Sequence, residues 1–148
     1  MNSLLQEMGI AAKAAANSLR KASTKQKNEG LLAMEAALYT HQDAILTANA
    51  KDIAAAAANG LPTPMIERVT LNPQRIKGMA DSFKEIAQLP DPVGYVEEMT
   101  KSADGLTIGK QRVPLRVIGI IYESRPNVTA DASALCFKSG NAVILRGG

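Results

Sequence analysis

Five consecutive residues, Glu123-Ser124-Arg125-Pro126-Asn127, set an acid, a hydroxyl, a guanidinium and a primary amide just after an apolar run. An asparagine amide in such a place can donate an N–H to an oxyanion that develops during acyl transfer. Asn ahead of a helix is also a common cap, because its side-chain oxygen accepts a free backbone N–H. Arg125 can grip a phosphate or carboxylate through two parallel hydrogen bonds. It can equally stand as a surface charge or pair with Glu123. Arg146-Gly147-Gly148 follows a second apolar run. Glycine lets backbone approach a ligand closely, and arginine suits a phosphorylated ribose. Two glycines after a strand are also a generic turn. No G-x-G-x-x-G stretch is present, so an ordinary dinucleotide fingerprint is not supported. The single cysteine, Cys136, lies between Leu135 and Phe137 with no histidine nearby. That setting suits a buried structural thiol better than a nucleophile. The single histidine, His41, has no cysteine or second histidine with which to share a metal.

These groups need a sheet edge to stand on, and the surrounding sequence supplies one. Leu115 to Tyr122, LRVIGIIY, is almost continuously apolar and β-branched. Such a strand is usually buried on both faces, as in a parallel sheet. Thr129 to Lys138 suits a helix, with Ala130, Ala134, Leu135 and Phe137 as packing residues and Ser139-Gly140 as its stop. Ala142 to Leu145 reads as a second buried strand. Strand, helix, strand with so short a crossover is a βαβ unit, expected to be right-handed. Both candidate loops leave the C-terminal ends of their strands, where open α/β sheets bind ligands. The start of the intervening helix adds free N–H groups and a positive dipole end.

The first ninety or so residues read as helices. Leu4, Leu5, Met8, Ala12, Ala15 and Leu19 recur at helical spacing. Ser23 and Gln26 have the spacing of a capping box, and Leu31, Met34, Leu38 and Ile45 continue an apolar stripe. Asn49 to Gly60 is alanine-rich and ends in Asn-Gly, a helix with a left-handed stop. Thr63 is expected to cap a short helix with Pro64 at its first position. Asn72-Pro73 repeats the device, and Ile76, Met79, Phe83 and Ile86 mark the next buried face. Leu89-Pro90-Asp91-Pro92 ends it. Tyr95 to Thr100 and Leu106 to Val113 then read as two strands around Ser102-Ala103-Asp104-Gly105, a polar β-hairpin able to project as an arm.

Composition narrows the classes of function. In 148 residues, 46% are hydrophobic and 21% charged, a globular balance. Aromatics are 3% with no tryptophan, poor material for stacking nucleic-acid bases. The net charge of +3 is spread along the chain, as on a slightly basic solvated surface. No basic n-region precedes an apolar core at the start, and no apolar run reaches the roughly 20 residues of a membrane span. One cysteine fits a reducing cytoplasm.

The block VPLRVIGIIYESRPNVTADASALCFKSGNAVILRGG resembles the aldehyde dehydrogenase superfamily, which follows a PLGVIGVI-type strand with a loop ending in Asn. IIYESRPNVT and SGNAVILRGG are closest to the branch that reduces glutamyl phosphate in proline biosynthesis. QEMGIAAKAA, ILTANAKDIAAAAANGL, LNPQRIKGMAD and LPDPVG look like the same branch, so the resemblance runs along essentially the whole chain. It implies an α/β fold: N-terminal helices over 1–93, the hairpin of an oligomerisation arm over 94–113, and the first βαβ unit of a cofactor-binding domain over 114–148. The implied reaction is the NADPH-dependent reduction of L-glutamyl 5-phosphate to L-glutamate 5-semialdehyde, through a cysteine thioester. Asn127 matches the oxyanion-stabilising asparagine. Glu123, Ser124, Arg125 and Pro126 match the loop near the cofactor. Arg146, with Gly147 and Gly148 beside it, matches the basic residue that meets the adenosine ribose.

The family's nucleophilic cysteine lies in a downstream catalytic domain, and Cys136 does not match it. The resemblance therefore implies an N-terminal piece of a longer cytoplasmic homo-oligomer, with association to glutamate 5-kinase and no membrane or nucleic-acid partner. A sheet of two parallel strands leaves apolar faces and an open edge, so the 148-residue piece alone is expected to be inactive and prone to associate. Two other readings stand beside this one. Another member of the superfamily would carry a different pair before the Asn. A non-catalytic helical module pairing through its hairpin would account for the missing cysteine, but not for half a cofactor site.

Overall fold

The computed structural model describes residues 3–123 and 125–147. In chain order the elements are α1 (Ser3–Leu19), α2 (Thr24–Thr40), α3 (Gln42–Ala58), α4 (Thr63–Val69), α5 (Pro73–Gln88), β1 (Val96–Lys101), β2 (Thr107–Gln111), β3 (Val117–Ile121), α6 (Pro126–Lys138) and β4 (Ala142–Arg146). β1 and β2 form an antiparallel hairpin, and β3 and β4 a separate parallel pair.

The core lies along α5. Ile76, Met79, Phe83 and Ile86 are all buried, as their spacing predicts. Met79, Phe83, Ile86 and Ala87 of α5 form one cluster with Leu31 of α2 and Ala130 and Ala134 of α6, with Met34, Leu38, Leu71 and Phe137 at its margin. Gly30 keeps α2 close to α6, since a Cβ there would meet the Phe137 ring at 2.9 Å. The stripe is not continuous to Ile45, because α2 ends at Thr40 and Ile45 belongs to α3. On α1 the spacing is helical, but Leu4 and Leu5 are more than half exposed and Ala16 is the buried residue. Leu135 also lies half exposed.

Local signals set most boundaries. The Ser23 hydroxyl accepts the Gln26 N–H and the Gln26 side chain accepts the Ser23 N–H, the reciprocal box expected. Gly60 is left-handed at φ 72°, with Gly60 N–H donating to Ala57 and Leu61 N–H to Ala56. Asn72 caps α5 through the Arg75 N–H at 2.8 Å. Thr63, by contrast, is not a cap. The extended Pro62 holds that place and its carbonyl accepts the first N–H groups, so Thr63 is already helical. α6 begins three residues before the expected Thr129, because Pro126 has a fixed φ and no N–H to lose in a first turn.

The hairpin is exposed at every strand position. Its turn has Gly105 at φ 83°, with the Gly105 N–H donating to Ser102 and the Ser102 N–H to Leu106. The expected two-sided burial of β3 does not occur. β3 is paired to β4 alone, its residues alternate between half-buried and exposed, and Ile121 is 87% and Leu115 80% exposed.

A clasp at the start of the parallel pair fixes its register. α6 closes on Gly140, at φ 76°, with the Asn141 N–H donating to the Cys136 carbonyl. The buried Asn141 Oδ1 then accepts the Arg116 N–H at 2.8 Å, and the Ala142 N–H donates to the Arg116 carbonyl at 2.8 Å. Arg116 is held at φ 92°, unusual for a residue with a Cβ. Asn141→Ala orphans that N–H and is expected to cost about 1–3 kcal/mol in urea unfolding. An unchanged midpoint would mean that water replaces the amide without loss.

Candidate functional site

The C-terminal ends of β3 and β4 meet at the Ile121–Arg146 pair, closed by the Tyr122 N–H donating to the Arg146 carbonyl at 3.0 Å. The Tyr122 hydroxyl lies 2.6 Å from the Thr129 hydroxyl on the first turns of α6, tying the strand end to the helix. This is the edge at which the sequence places its candidate residues; Arg125, Pro126 and Asn127 line one cleft, whereas Glu123, Arg146 and Gly147 are not among its lining residues.

Asn127 is the second residue of α6, not a residue before it. Arg125 occupies the cap position without a side-chain hydrogen bond. The capping alternative for Asn127 therefore fails, and its amide is exposed, with no side-chain partner among the described residues. An amide free at a helix N-terminus can turn its N–H toward developing negative charge, although the neighbouring Val128 N–H is already donated to the Arg125 carbonyl at 3.1 Å. Pro126 packs half-buried beneath it. Arg146 is exposed at the end of β4. A Cβ on Gly147 would meet only the Tyr122 ring, at 3.5 Å from its hydroxyl. Ser124 and Gly148 lie outside the described residues.

Arg125 takes its bland partner, the Glu123 carboxylate, at 3.3 Å. The sequence reading missed that Glu123 is shared: Arg68, from the end of α4, lies 3.5 Å from the same oxygen. Arg68, Arg75, Arg125 and Asn127 line one cleft of about 420 Å³, with Thr70, Leu71 and Pro126. The segment carrying Arg68 is pinned from below. The buried Asn49 donates to the Val69 carbonyl at 2.9 Å and accepts the Leu71 N–H at 2.7 Å. Arg75 Nη1 donates to the carbonyls of Glu67, at 2.7 Å, and Thr70. Nothing in the spacing of Arg68 and Arg75 signals this, because the α4–α5 turn decides where they point.

A larger groove of about 980 Å³ runs between α1, α2, α6 and β4, lined mainly by apolar residues such as Met8, Leu19, Met34 and Phe137. It holds no acid–base pair. Cys136 is buried, and burial pushes its thiol above the ordinary value, which suits packing rather than attack.

No family model matches the chain. Relatives and solved structures do, and the chain is similar to the N-terminal third of α/β reductases in both sequence and backbone. The particular likeness is to gamma-glutamyl phosphate reductase. That of Listeria monocytogenes is 56% identical over 144 residues, 97% of this chain and 35% of the relative. The crystal structure of the Thermotoga maritima reductase superposes with a TM-score of 0.94 at 40% identity, over 97% of this chain and 35% of that one. The Saccharomyces cerevisiae reductase gives 0.90 at 37% identity, over 97% and 36%. The branch that IIYESRPNVT resembles is also the one to which these similar proteins belong. The chain spans about a third of the length of the curated relatives it matches.

Proposed function

We propose that this chain forms part of an enzyme that reduces L-glutamyl 5-phosphate to L-glutamate 5-semialdehyde with NADPH and releases phosphate, the second step of proline biosynthesis. The observation that carries the reading is 56% identity along 97% of the chain to a reductase of that name. The exposed Asn127 amide at the head of α6 is consistent with it.

In this reading a cysteine outside the chain attacks the acyl phosphate, phosphate leaves, and the resulting thioester is reduced. Asn127 donates its amide N–H to the carbonyl oxygen as negative charge builds there, with the α6 N-terminus adding its dipole. The corner suits a dinucleotide: Gly147 carries no side chain where the strand ends, its Cβ side facing the Tyr122 ring, and Arg146 offers an exposed guanidinium at the same edge. The nicotinamide supplies the hydride when bound. Glu123, Arg125 and Pro126 border its path, with Ser124 and Gly148 as further contacts carried by the resemblance. On the same reading, residues 1–93 and 114–148 belong to the cofactor-binding domain. The exposed hairpin within 94–113 serves as the arm of a cytoplasmic homo-oligomer, and glutamate 5-kinase is the associated donor of substrate.

The test is NADPH oxidation by the purified full-length protein, supplied with glutamate, ATP and a glutamate 5-kinase. The expected result is oxidation that depends on the kinase. Oxidation that ignores the kinase, or none at all with an active kinase present, would overturn the assignment.

A further inference from the structure

We infer that Arg68, Arg75 and Arg125, with Asn127, form a receptor for a phosphate group, and that Glu123 occupies it as an internal substitute until the phosphate arrives. The inference rests on the proposed reaction for the identity of the phosphate, but its geometry does not. Three guanidinium groups line a cleft of about 420 Å³ that has no acid in its lining. The acid beside it, Glu123, offers one oxygen to two arginines, at 3.5 Å from Arg68 and 3.3 Å from Arg125. Three cations against one carboxylate leave positive charge in excess, before the N-terminal dipole of α6 is added.

Such a cluster is favourable only if an anion lies among its members. A phosphate monoester carries close to two charges and three strong acceptor oxygens, so it satisfies more of these donors than a carboxylate can. The Glu123 side chain is 69% exposed and can leave for water at little cost. Arg75 cannot swing away so easily, while the Arg68 and Arg125 side chains are about half exposed on a backbone that is held. Asn49 pins residues 69 and 71 from the buried side, and Arg75 is fixed by two backbone carbonyls. Nη1 is the nitrogen so used, which leaves the rest of its five-donor fork for the cleft. Asn127 lines the same cleft, so a phosphate there would lie beside the amide assigned to the oxyanion.

Two phosphates could fill the cleft, the leaving group of the acyl phosphate and a phosphate of the dinucleotide. The experiment uses the full-length enzyme in the oxidative direction, with glutamate 5-semialdehyde, NADP and inorganic phosphate. Among the described residues the Arg68 side chain makes no hydrogen bond to the backbone and is 55% exposed, so Arg68→Gln is the main variant. It is expected to raise the KM for inorganic phosphate about tenfold, the loss of one charge-assisted contact, with the KM for NADP unchanged. A rise in the NADP constant alone would assign the cleft to the dinucleotide's phosphate. If neither constant moves, the receptor is refuted. Glu123→Gln is expected to lower the same constant that Arg68→Gln raises, since it removes the internal competitor; a purely structural Glu123 would not do so.

A readout free of turnover separates this inference from the proposed function. Inorganic phosphate should raise the Tm of the wild-type protein, less in Arg68→Gln and more in Glu123→Gln. That pattern in a protein without glutamyl phosphate reduction would sink the proposed function and keep the receptor. Reduction with no phosphate response, and no change in either constant, would sink the receptor alone.

Discussion

Asp91→Ala is expected to destabilise the fold by about 3–5 kcal/mol, the cost typical of removing one partner from a buried ion pair. The Asp91 carboxylate accepts from the Thr24 hydroxyl at 2.6 Å, the Lys27 ammonium at 2.7 Å and the Val93 N–H at 3.0 Å. The Lys27 side chain is only 2% exposed and reaches past Asp91 to the Lys138 carbonyl at 3.1 Å. Lys138 is itself buried, donating to Asn28 at 2.6 Å and to the Ala87 carbonyl at 2.9 Å. Burial pulls the Lys138 ammonium below the ordinary lysine value, Asp91 opposes that, and Lys27 adds to it.

Without Asp91 two ammonium groups share a buried region with no counter-charge. Urea unfolding measures the loss, and Lys27→Met in the same background should recover part of it. A loss under 1 kcal/mol would mean that water enters and solvates Lys27. The pH dependence has a definite sign. Burial alone would raise Asp91, but the hydrogen bonds from Lys27, Thr24 and Val93 outweigh it and hold the carboxyl below 3.8. A carboxylate lowered on folding stabilises fully above its unfolded value and loses that contribution as pH falls through the folded one. The wild type should therefore weaken below about pH 4, and Asp91→Ala should show a flatter acid limb.

The second large effect concerns chemistry. In the full-length enzyme, Asn127→Ala is expected to lower kcat by about 10²–10³, the cost of losing one oxyanion donor. Because the side chain is exposed and makes no hydrogen bond within the described residues, stability should stay near wild type. A KM rise with kcat intact would instead make Asn127 a binding contact, and would remove it from the oxyanion role.

The sequence was most legible where one residue decides a local outcome. Ser23, Gly60, Asn72 and Gly140 act through their own backbone or the next turn, so their stops and starts could be read directly. The buried face of α5 was equally plain, because its spacing leaves no alternative. β3 was misread because apolar content says what a strand can bury, not what is present to cover it. Thr63 and Pro126 were each misplaced at a helix start, since proline and its neighbours suit several positions of a first turn. The polar knot of Lys27, Asp91 and Lys138 and the cleft of Arg68 and Arg75 were invisible. Their partners lie far apart in sequence, as with Lys138 and Asn28 at a separation of 110, and only the packing of α2, α5 and α6 brings them together. At the candidate site Asn127 and Arg125 were named from the loop and line one cleft, while Arg68 and Arg75, which share that cleft, were not named.

The Asn141 clasp has a consequence for the order of assembly. Its amide is aimed by the closing turn of α6, so that turn, once formed, presents the acceptor that the Arg116 N–H takes. The helix and β4 are adjacent in sequence and form at small entropic cost, whereas Arg116 must return across 25 residues to dock. When it docks, the Arg116 N–H bond to Asn141 and the Ala142 N–H bond to Arg116 favour one alignment. A slip by one residue would turn the side chains of β3 to the opposite face and part Ile121 from Arg146, about 13 Å along the strands. Asn141 thus acts at a distance: the alignment of the Ile121–Arg146 end is set in part at the other end of the pair.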